Sequence, residues 1–415
     1  MLAMRDDQLA NGKFTDIAPV GGGFGGLLWG SAGITVAWEA YQQYQDKSLL
    51  EIHYAAMVRY MTYLKSTINK VTGFSSDNVL GDWLGLQNNQ LGTDYLVTAY
   101  HVFDLGIMVQ VAEVLHKPID VALYKKEYIE RKAFFNKTFV NGNKKSLGLI
   151  GGNGVGLPLT TNKATLKLAD TQTSYAVGLA LGVFDDRNIP FMIENLKATI
   201  LRENIDDQGI VRPVNSLMTG FIGTAWISKA LSDAGAVNLA YQLLENEQFP
   251  SWLYPVTQGA TTIWERLNGY TVEKGFGGNN GMNSFNHYSF GAIGQWLMAY
   301  SLGIQRDKPG FRHFILQPEP DPTGKMFWAK GIYESQYGPI SSSWKLAKGK
   351  FIYKTSVPAN TSATMFLPSD DLNSIRENGK AIGINAGIKF IRFEKGKAVF
   401  ELNAGDYIFS SVLLH

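Results

Sequence analysis

The stretch from Thr93 to Phe135 reads TDYLVTAYHVFDLGIMVQVAEVLHKPIDVALYKKEYIERKAFF. Leu96, Ala99, Tyr100, Phe103, Ile107, Val111 and Val114 recur at three- and four-residue spacing, which predicts a helix from Thr93 to His116. Pro118 follows at once, and its fixed φ and missing N–H suit the first turn of a second helix, Ile119 to Phe135. Two helices joined by so short a link form an antiparallel hairpin.

The same unit recurs on both sides. Upstream, Trp29, Ile34, Ala37, Trp38 and Tyr41 mark one helix and Leu50 to Leu64 another, joined near Asp46-Lys47. Downstream, Thr173 to Gly182, with Asp170 as its N-cap, pairs with Ile189 to Arg202. Phe221 to Ser232 pairs with Ala236 to Glu245, and a ninth helix is expected from a cap at Asn283 or Ser284 to about Ser301. Short joints near residues 46, 117, 185 and 234 alternate with long glycine-bearing loops, among them 144–165 and Gly275 to Gly281. This alternation predicts an α/α toroid in which inner and outer helices alternate and the long loops build the site. Nine helices and a stub fall short of six hairpins, so the first hairpins are expected upstream of Met1. The opened ring would expose helix faces and favour self-association.

After Gly303 the pattern changes to period two. Phe311 to Leu316, Ala329 to Tyr333, Ile340 to Leu346, Lys350 to Val357, Ser362 to Leu367, Ile388 to Phe393 and Lys397 to Leu402 read as strands, with Gly349 and Gly396 in hairpin turns. The chain is therefore expected to be mostly α with a β domain. Residues 1–305 would form an (α/α)6 barrel incomplete at its N-terminus, and 306–415 an antiparallel β-sandwich.

Composition narrows the function. A net charge of +2 gives no reason to expect nucleic acid or an anionic membrane as partner. No apolar run is expected to reach the roughly 20 residues of a membrane span. Met1 to Gln8 has no apolar signal-peptide core, which leaves the compartment open. The absence of cysteine excludes disulfides and thiol chemistry. No second His lies at ligand spacing and no DxDxDG or phosphate loop occurs, so neither metal nor cofactor is expected.

The chemistry concentrates between Gly259 and Tyr288. Glu265, flanked by Trp264 and Arg266, fits a general base or a loop acid paired with Arg266. His287, between Asn286 and Tyr288, fits a sugar contact or a satisfied residue at a helix start. Trp83 beside Asp82 in a glycine-flanked loop, Trp29 after a glycine run, and Trp252 with Tyr254 fit sugar-stacking walls or loop-to-core packing.

Several motifs together, Asp16-Ile17-Ala18-Pro19, Trp29-Gly30-Ser31-Ala32, Gly81 to Leu84, Asp170 to Ala176, Gly259 to Arg266 and Ser284 to Gly291, resemble the catalytic region of bacterial α-L-rhamnosidases, glycoside hydrolase family 78. The resemblance covers nearly the whole chain. It implies an (α/α)6 barrel that hydrolyses terminal α-L-rhamnosides with inversion, acting on rhamnose-containing glycosides. It implies Glu265 as general base and His287, Trp29 and Trp83 as sugar contacts. Asp82, Trp264, Arg266, Asn286 and Trp252 are further candidate substrate contacts from the residues themselves. The family's general acid belongs to an Asp/Arg/Glu/Trp motif upstream of the segment matching Asp16 to Pro19, and no copy of it occurs here. Ser31 stands where an Asp is usual, and Leu267-Asn268 where Trp-Asp is common. Two other readings stay open: a non-catalytic sugar-binding remnant, and a sugar epimerase or uronic-acid lyase on the same toroid.

Overall fold

A computed structural model describes residues 1–23, 25–77, 79–149, 166–276, 280–382 and 387–412. The chain divides into two compact units, Met1–Ala40 with Asp46–Ala292, and Tyr41–Gln45 with Ile293–His415.

Helices span Ala32–Tyr44, Ser48–Thr67, Thr93–Val114, Pro118–Phe139, Gln172–Ala180, Ile189–Leu201, Phe221–Asp233 and Val237–Leu244. Burial separates inner from outer helices. Thr93–Val114, Gln172–Ala180 and Phe221–Asp233 pack against one another in sequence and are buried on nearly every face. Pro118–Phe139, the hairpin partner of Thr93–Val114, buries a single stripe that includes Tyr124, Phe135 and Phe139. Thr93–Val114 is in fact long and apolar enough to cross a bilayer, contrary to expectation. Most of that apolar surface is buried inside the fold, as an inner helix requires.

The short joints share one backbone device. His116, Gly182 and Gly235 adopt left-handed φ values of 55°, 66° and 73°. The next amide then donates to the carbonyl five residues back: Lys117 to Ala112 at 2.9 Å, Val183 to Gly178 at 3.1 Å and Ala236 to Leu231 at 2.8 Å. Each lock ends one helix and turns the chain into its partner.

Two local expectations are corrected, and a third lies largely outside the described residues. No regular helix begins at Asn283 or Ser284; a 3-10 turn, Ser289–Ala292, leads into Ile293–Trp296 and a wider turn, Leu297–Ser301. Asp170 is not the cap of Gln172–Ala180. Thr171 is, through its hydroxyl and the Ser174 amide, while Asp170 pairs with Lys145 at 3.1 Å and Arg202 at 2.8 Å. Of the glycine-rich loop expected over 144–165, residues 150–165 lie outside the described residues.

The second unit is a two-sheet sandwich. One sheet runs in the order Ile388–Glu394, Lys397–Leu402, Ser362–Pro368, His313–Leu316, Ile304–Arg306. The other runs Lys380–Ala381, Arg376–Glu377, Gly405–Val412, Lys350–Val357, Gly338–Ala347, Trp328–Ser335. All neighbours are antiparallel except Ser362–Pro368 with His313–Leu316, which is parallel. Lys348-Gly349, Asn378-Gly379 and Lys395-Gly396 each place two successive residues at positive φ, the turn that matches strand twist in a tight hairpin. Phe314, Leu316, Trp344, Phe351, Tyr353, Met365, Phe400 and Phe409 fill the space between the sheets.

Two measurements follow from the helical unit. His116 is exposed and carries a side chain at a position that favours glycine. His116→Gly is expected to stabilise the fold by roughly 0.5–1 kcal/mol in urea unfolding; a destabilised variant would show that its imidazole has an unseen role. Asp94 is buried in the first turn of Thr93–Val114, where burial pushes its pKa up to about 6. The unfolded carboxyl titrates near ~3.9, so the native state holds this proton more tightly. The corresponding stability is complete below about pH 4 and is lost as pH rises through about 6, a change of about 3 kcal/mol. Asp94→Asn should remove that slope, and equal slopes in parent and variant would assign it elsewhere.

Candidate active site

The segment after Leu253–Thr257 doubles back on itself as two arms, 261–266 and 282–287. The Glu265 amide donates to the Ser284 carbonyl at 2.8 Å, and the His287 amide to the Ile263 carbonyl at 2.8 Å. Arg266 Nε donates to the Met282 carbonyl at 3.2 Å. An aromatic cluster fastens the arms: Trp264 meets Phe285 edge-on at 5.1 Å, Phe276 meets Phe285 at 5.4 Å and Tyr270 at 5.1 Å. Trp264 is thus buried in the loop's own core rather than presented as a wall.

Glu265 is half-buried. Its Oε2 accepts from the Ser284 amide at 2.8 Å. Among the described residues no donor meets Oε1, and Arg266 does not pair with it. The carboxylate is held by one oxygen and open at the other.

The His287 ring lies against Phe221 at 4.9 Å and against Tyr288 at 5.2 Å, both stacked. Its Nδ1 accepts from the Ser289 amide at 3.3 Å, which leaves the proton of the neutral ring on Nε2. His287 therefore offers one outward N–H of fixed direction. Asn286 is exposed beside it.

Phe221 owes its place to Asp82. That carboxylate is buried at the N-terminus of Phe221–Asp233. It accepts from the Gly220 amide at 2.8 Å, the Gly223 amide at 2.9 Å and the Thr173 hydroxyl. The Phe221 amide in turn donates to the Trp83 carbonyl at 2.9 Å. A Cβ on Gly220 would stand 2.3 Å from the Asp82 and Trp83 carbonyl oxygens, so only glycine permits this approach. Burial raises the Asp82 pKa, opposed by the donors from Thr173, Gly220 and Gly223. With both oxygens engaged, Asp82 is a clamp inside the wall, not a group that faces a ligand.

Residues adjoining these groups line one cavity of about 160 Å³. Leu84 lies next to Trp83, Arg266 next to Glu265, and Phe290 just beyond His287. Arg212 also lines it, held by Asp206 at 2.7 Å. Trp29 stands on a separate turn, Leu27–Gly30, whose first amide donates to Asp77 at 2.7 Å. Among the described residues no hydrogen bond or ring contact joins Trp29 to Glu265 or His287. Trp252 is buried and donates from Nε1 to the Phe290 carbonyl at 2.9 Å, which makes it a support for the loop behind His287. Ser31 donates to Asp104 at 2.5 Å, and burial pushes that carboxyl well above its ordinary range.

Sequence reasoning missed Phe221, Thr173 and the Ser284 amide. Only the Gly220-Phe221 pair at a helix start offered a signal, and it is indistinguishable there from ordinary packing. Asp82→Ala leaves three buried donors without an acceptor and is expected to cost about 2–4 kcal/mol in urea unfolding, with Thr173→Val costing about 1 kcal/mol. A loss below about 1 kcal/mol for Asp82→Ala would contradict the clamp.

Comparison with known proteins adds a second line. The family model described as bacterial alpha-L-rhamnosidase 6 hairpin glycosidase domain matches residues 1–301, and the bacterial alpha-L-rhamnosidase C-terminal domain matches 303–381. An alpha-L-rhamnosidase of Streptomyces avermitilis is 30% identical across 99% of this chain and 35% of its own length. One from Formosa agariphila is 30% identical across 99% of this chain and 42% of its own. The crystal structure of the Streptomyces avermitilis alpha-L-rhamnosidase complexed with L-rhamnose superposes with a TM-score of 0.82, covering 99% of this chain and 35% of that one. The alpha-L-rhamnosidase of Dictyoglumus thermophilum gives 0.81 at 25% identity, covering 99% and 43%. The chain thus spans well under half the length of these relatives.

Proposed function

The chain belongs to the bacterial alpha-L-rhamnosidase six-hairpin glycosidase family, and we propose that it carries the barrel and base of an enzyme that hydrolyses terminal α-L-rhamnosides. The observation that carries this reading is the half-open carboxylate of Glu265 on one arm of the loop, with the oriented N–H of His287 on the arm paired to it. A relative solved with L-rhamnose supports the sugar.

In this reading Oε1 of Glu265 takes a proton from water, and that water attacks the anomeric carbon on the face opposite the leaving oxygen, which inverts the centre. The Ser284 amide keeps the carboxylate from rotating away. His287 Nε2–H and Asn286 hold sugar hydroxyls, Trp29 and Trp83 supply ring faces, and Arg266 borders the adjoining cavity. Trp252, Trp264 and Asp82 shape the site from behind. Residues 1–305 do this work, with 306–415 as an appended sandwich. Inversion needs a second, protonated carboxyl roughly 6.5–9.5 Å from the base. Asp82, Asp94 and Asp104 have raised pKa values but are buried in the walls. We propose that the general acid is missing from these 415 residues, which span 35% of the length of the Streptomyces avermitilis relative.

An aryl α-L-rhamnoside with an acidic phenol leaves without protonation, so it isolates the base. Glu265→Gln is expected to lower kcat/KM on that substrate about 10³-fold, and azide should restore turnover to Glu265→Ala. Proton NMR should show the β anomer of rhamnose first. A glutamine variant that keeps more than about a tenth of parental activity, or α-rhamnose as first product, would overturn the assignment.

A further inference from the structure

The six-stranded sheet turns one face into the sandwich and the other to solvent. Alternation along Trp328–Ser335 puts Trp328 and Lys330 on the open face. Strand register then sets their neighbours. Trp328 lies opposite Lys345, which lies opposite Ile352; Lys330 lies opposite Ser343, which lies opposite Lys354. The two rows are adjacent, so three ammonium groups surround a small hydroxyl beside an indole that is 50% exposed. Strand geometry spaces the lysine Cα atoms roughly 8–10 Å apart. None of the three makes an ion pair among the described residues. Glu334 lies further along the same face, and Asp406, the diagonal neighbour of Lys354 on the next strand, makes no ion pair with it among the described residues.

Each simpler occupant fits this face poorly. A second copy of the same face would set lysine against lysine. Strand addition at the edge strand Trp328–Ser335 is opposed by Lys330. The surface is flat and open, without the enclosure that a single small molecule needs. Its chemistry suits an extended chain of rings that stack on an indole and carry repeated negative charge.

We propose that this face of the C-terminal unit binds an acidic polysaccharide, with Trp328 stacking on a sugar ring and Lys330, Lys345 and Lys354 pairing with carboxylates of successive residues. The site is separate from the Glu265 loop and stands or falls independently of the hydrolytic reading.

Affinity electrophoresis of the full chain in native gels containing polygalacturonate tests it. The parent should be retarded, with an apparent Kd that weakens at least about fivefold between 50 and 300 mM NaCl. Trp328→Ala should weaken it about tenfold, and the triple variant Lys330→Glu, Lys345→Glu, Lys354→Glu should abolish it. All four positions are solvent-facing, and Lys345→Ser alone serves as a milder check with an expected partial loss. Neutral dextran should retard none of them. Absence of retardation in the parent, equal retardation of parent and both variants, or duplex DNA bound as tightly as polygalacturonate would each overturn the proposal.

Discussion

A single buried carboxylate sets the geometry of the helical unit's working end. An ionised or even a neutral carboxyl is costly to bury unless donors surround it. Asp82 finds three, two of them backbone amides at the positive end of Phe221–Asp233 and the third on Gln172–Ala180. The loop 81–85 therefore cannot move without abandoning both helices. Trp83 and Phe221 are fixed to each other by the same clamp, and the His287 ring packs against Phe221.

Glu265 is the opposite case. One oxygen is satisfied by a backbone amide nineteen residues on, and the other meets no donor among the described residues. The two carboxylates are alike in sequence, each beside a tryptophan in a polar loop. What separates them is the count of donors and the share of water they keep. Full satisfaction suits a residue that holds, and partial satisfaction suits one that reacts. The aromatic cluster of Trp264, Tyr270, Phe276 and Phe285 lets an otherwise polar loop keep that distinction.

Much of the fold was legible in the chain itself. The period of Thr93 to Val114, the proline at its partner's first turn and the glycines at 182 and 235 all encode hairpins locally. Positive φ at Gly349 and Gly396 made the β-hairpins equally readable. What escaped was non-local. Ser284 looks like a helix cap from its neighbours, but its amide is claimed by Glu265 across the loop. Asp170 precedes a helix and still leaves the cap to Thr171, because Lys145 and Arg202 draw it away. The last strand, Gly405–Val412, alternates Tyr407, Phe409 and Ser411 inward, yet Gly405-Asp406 disguises its start. Trp264 and Trp252 carry no sequence mark that distinguishes a wall from a support. For the candidate site, residue types were readable and directions were not.

The repeated left-handed lock at His116, Gly182 and Gly235 has a consequence for how such a chain can change over generations. Each lock is closed by backbone amides alone, so it asks almost nothing of neighbouring side chains. Antiparallel helices put these joints at the end of each hairpin away from the long connections. Drift in the long connections therefore leaves the turns that register the helices untouched. Variation in the long connections can therefore accumulate without disturbing the register of the helices, except where a connection itself carries a clamp such as Asp82.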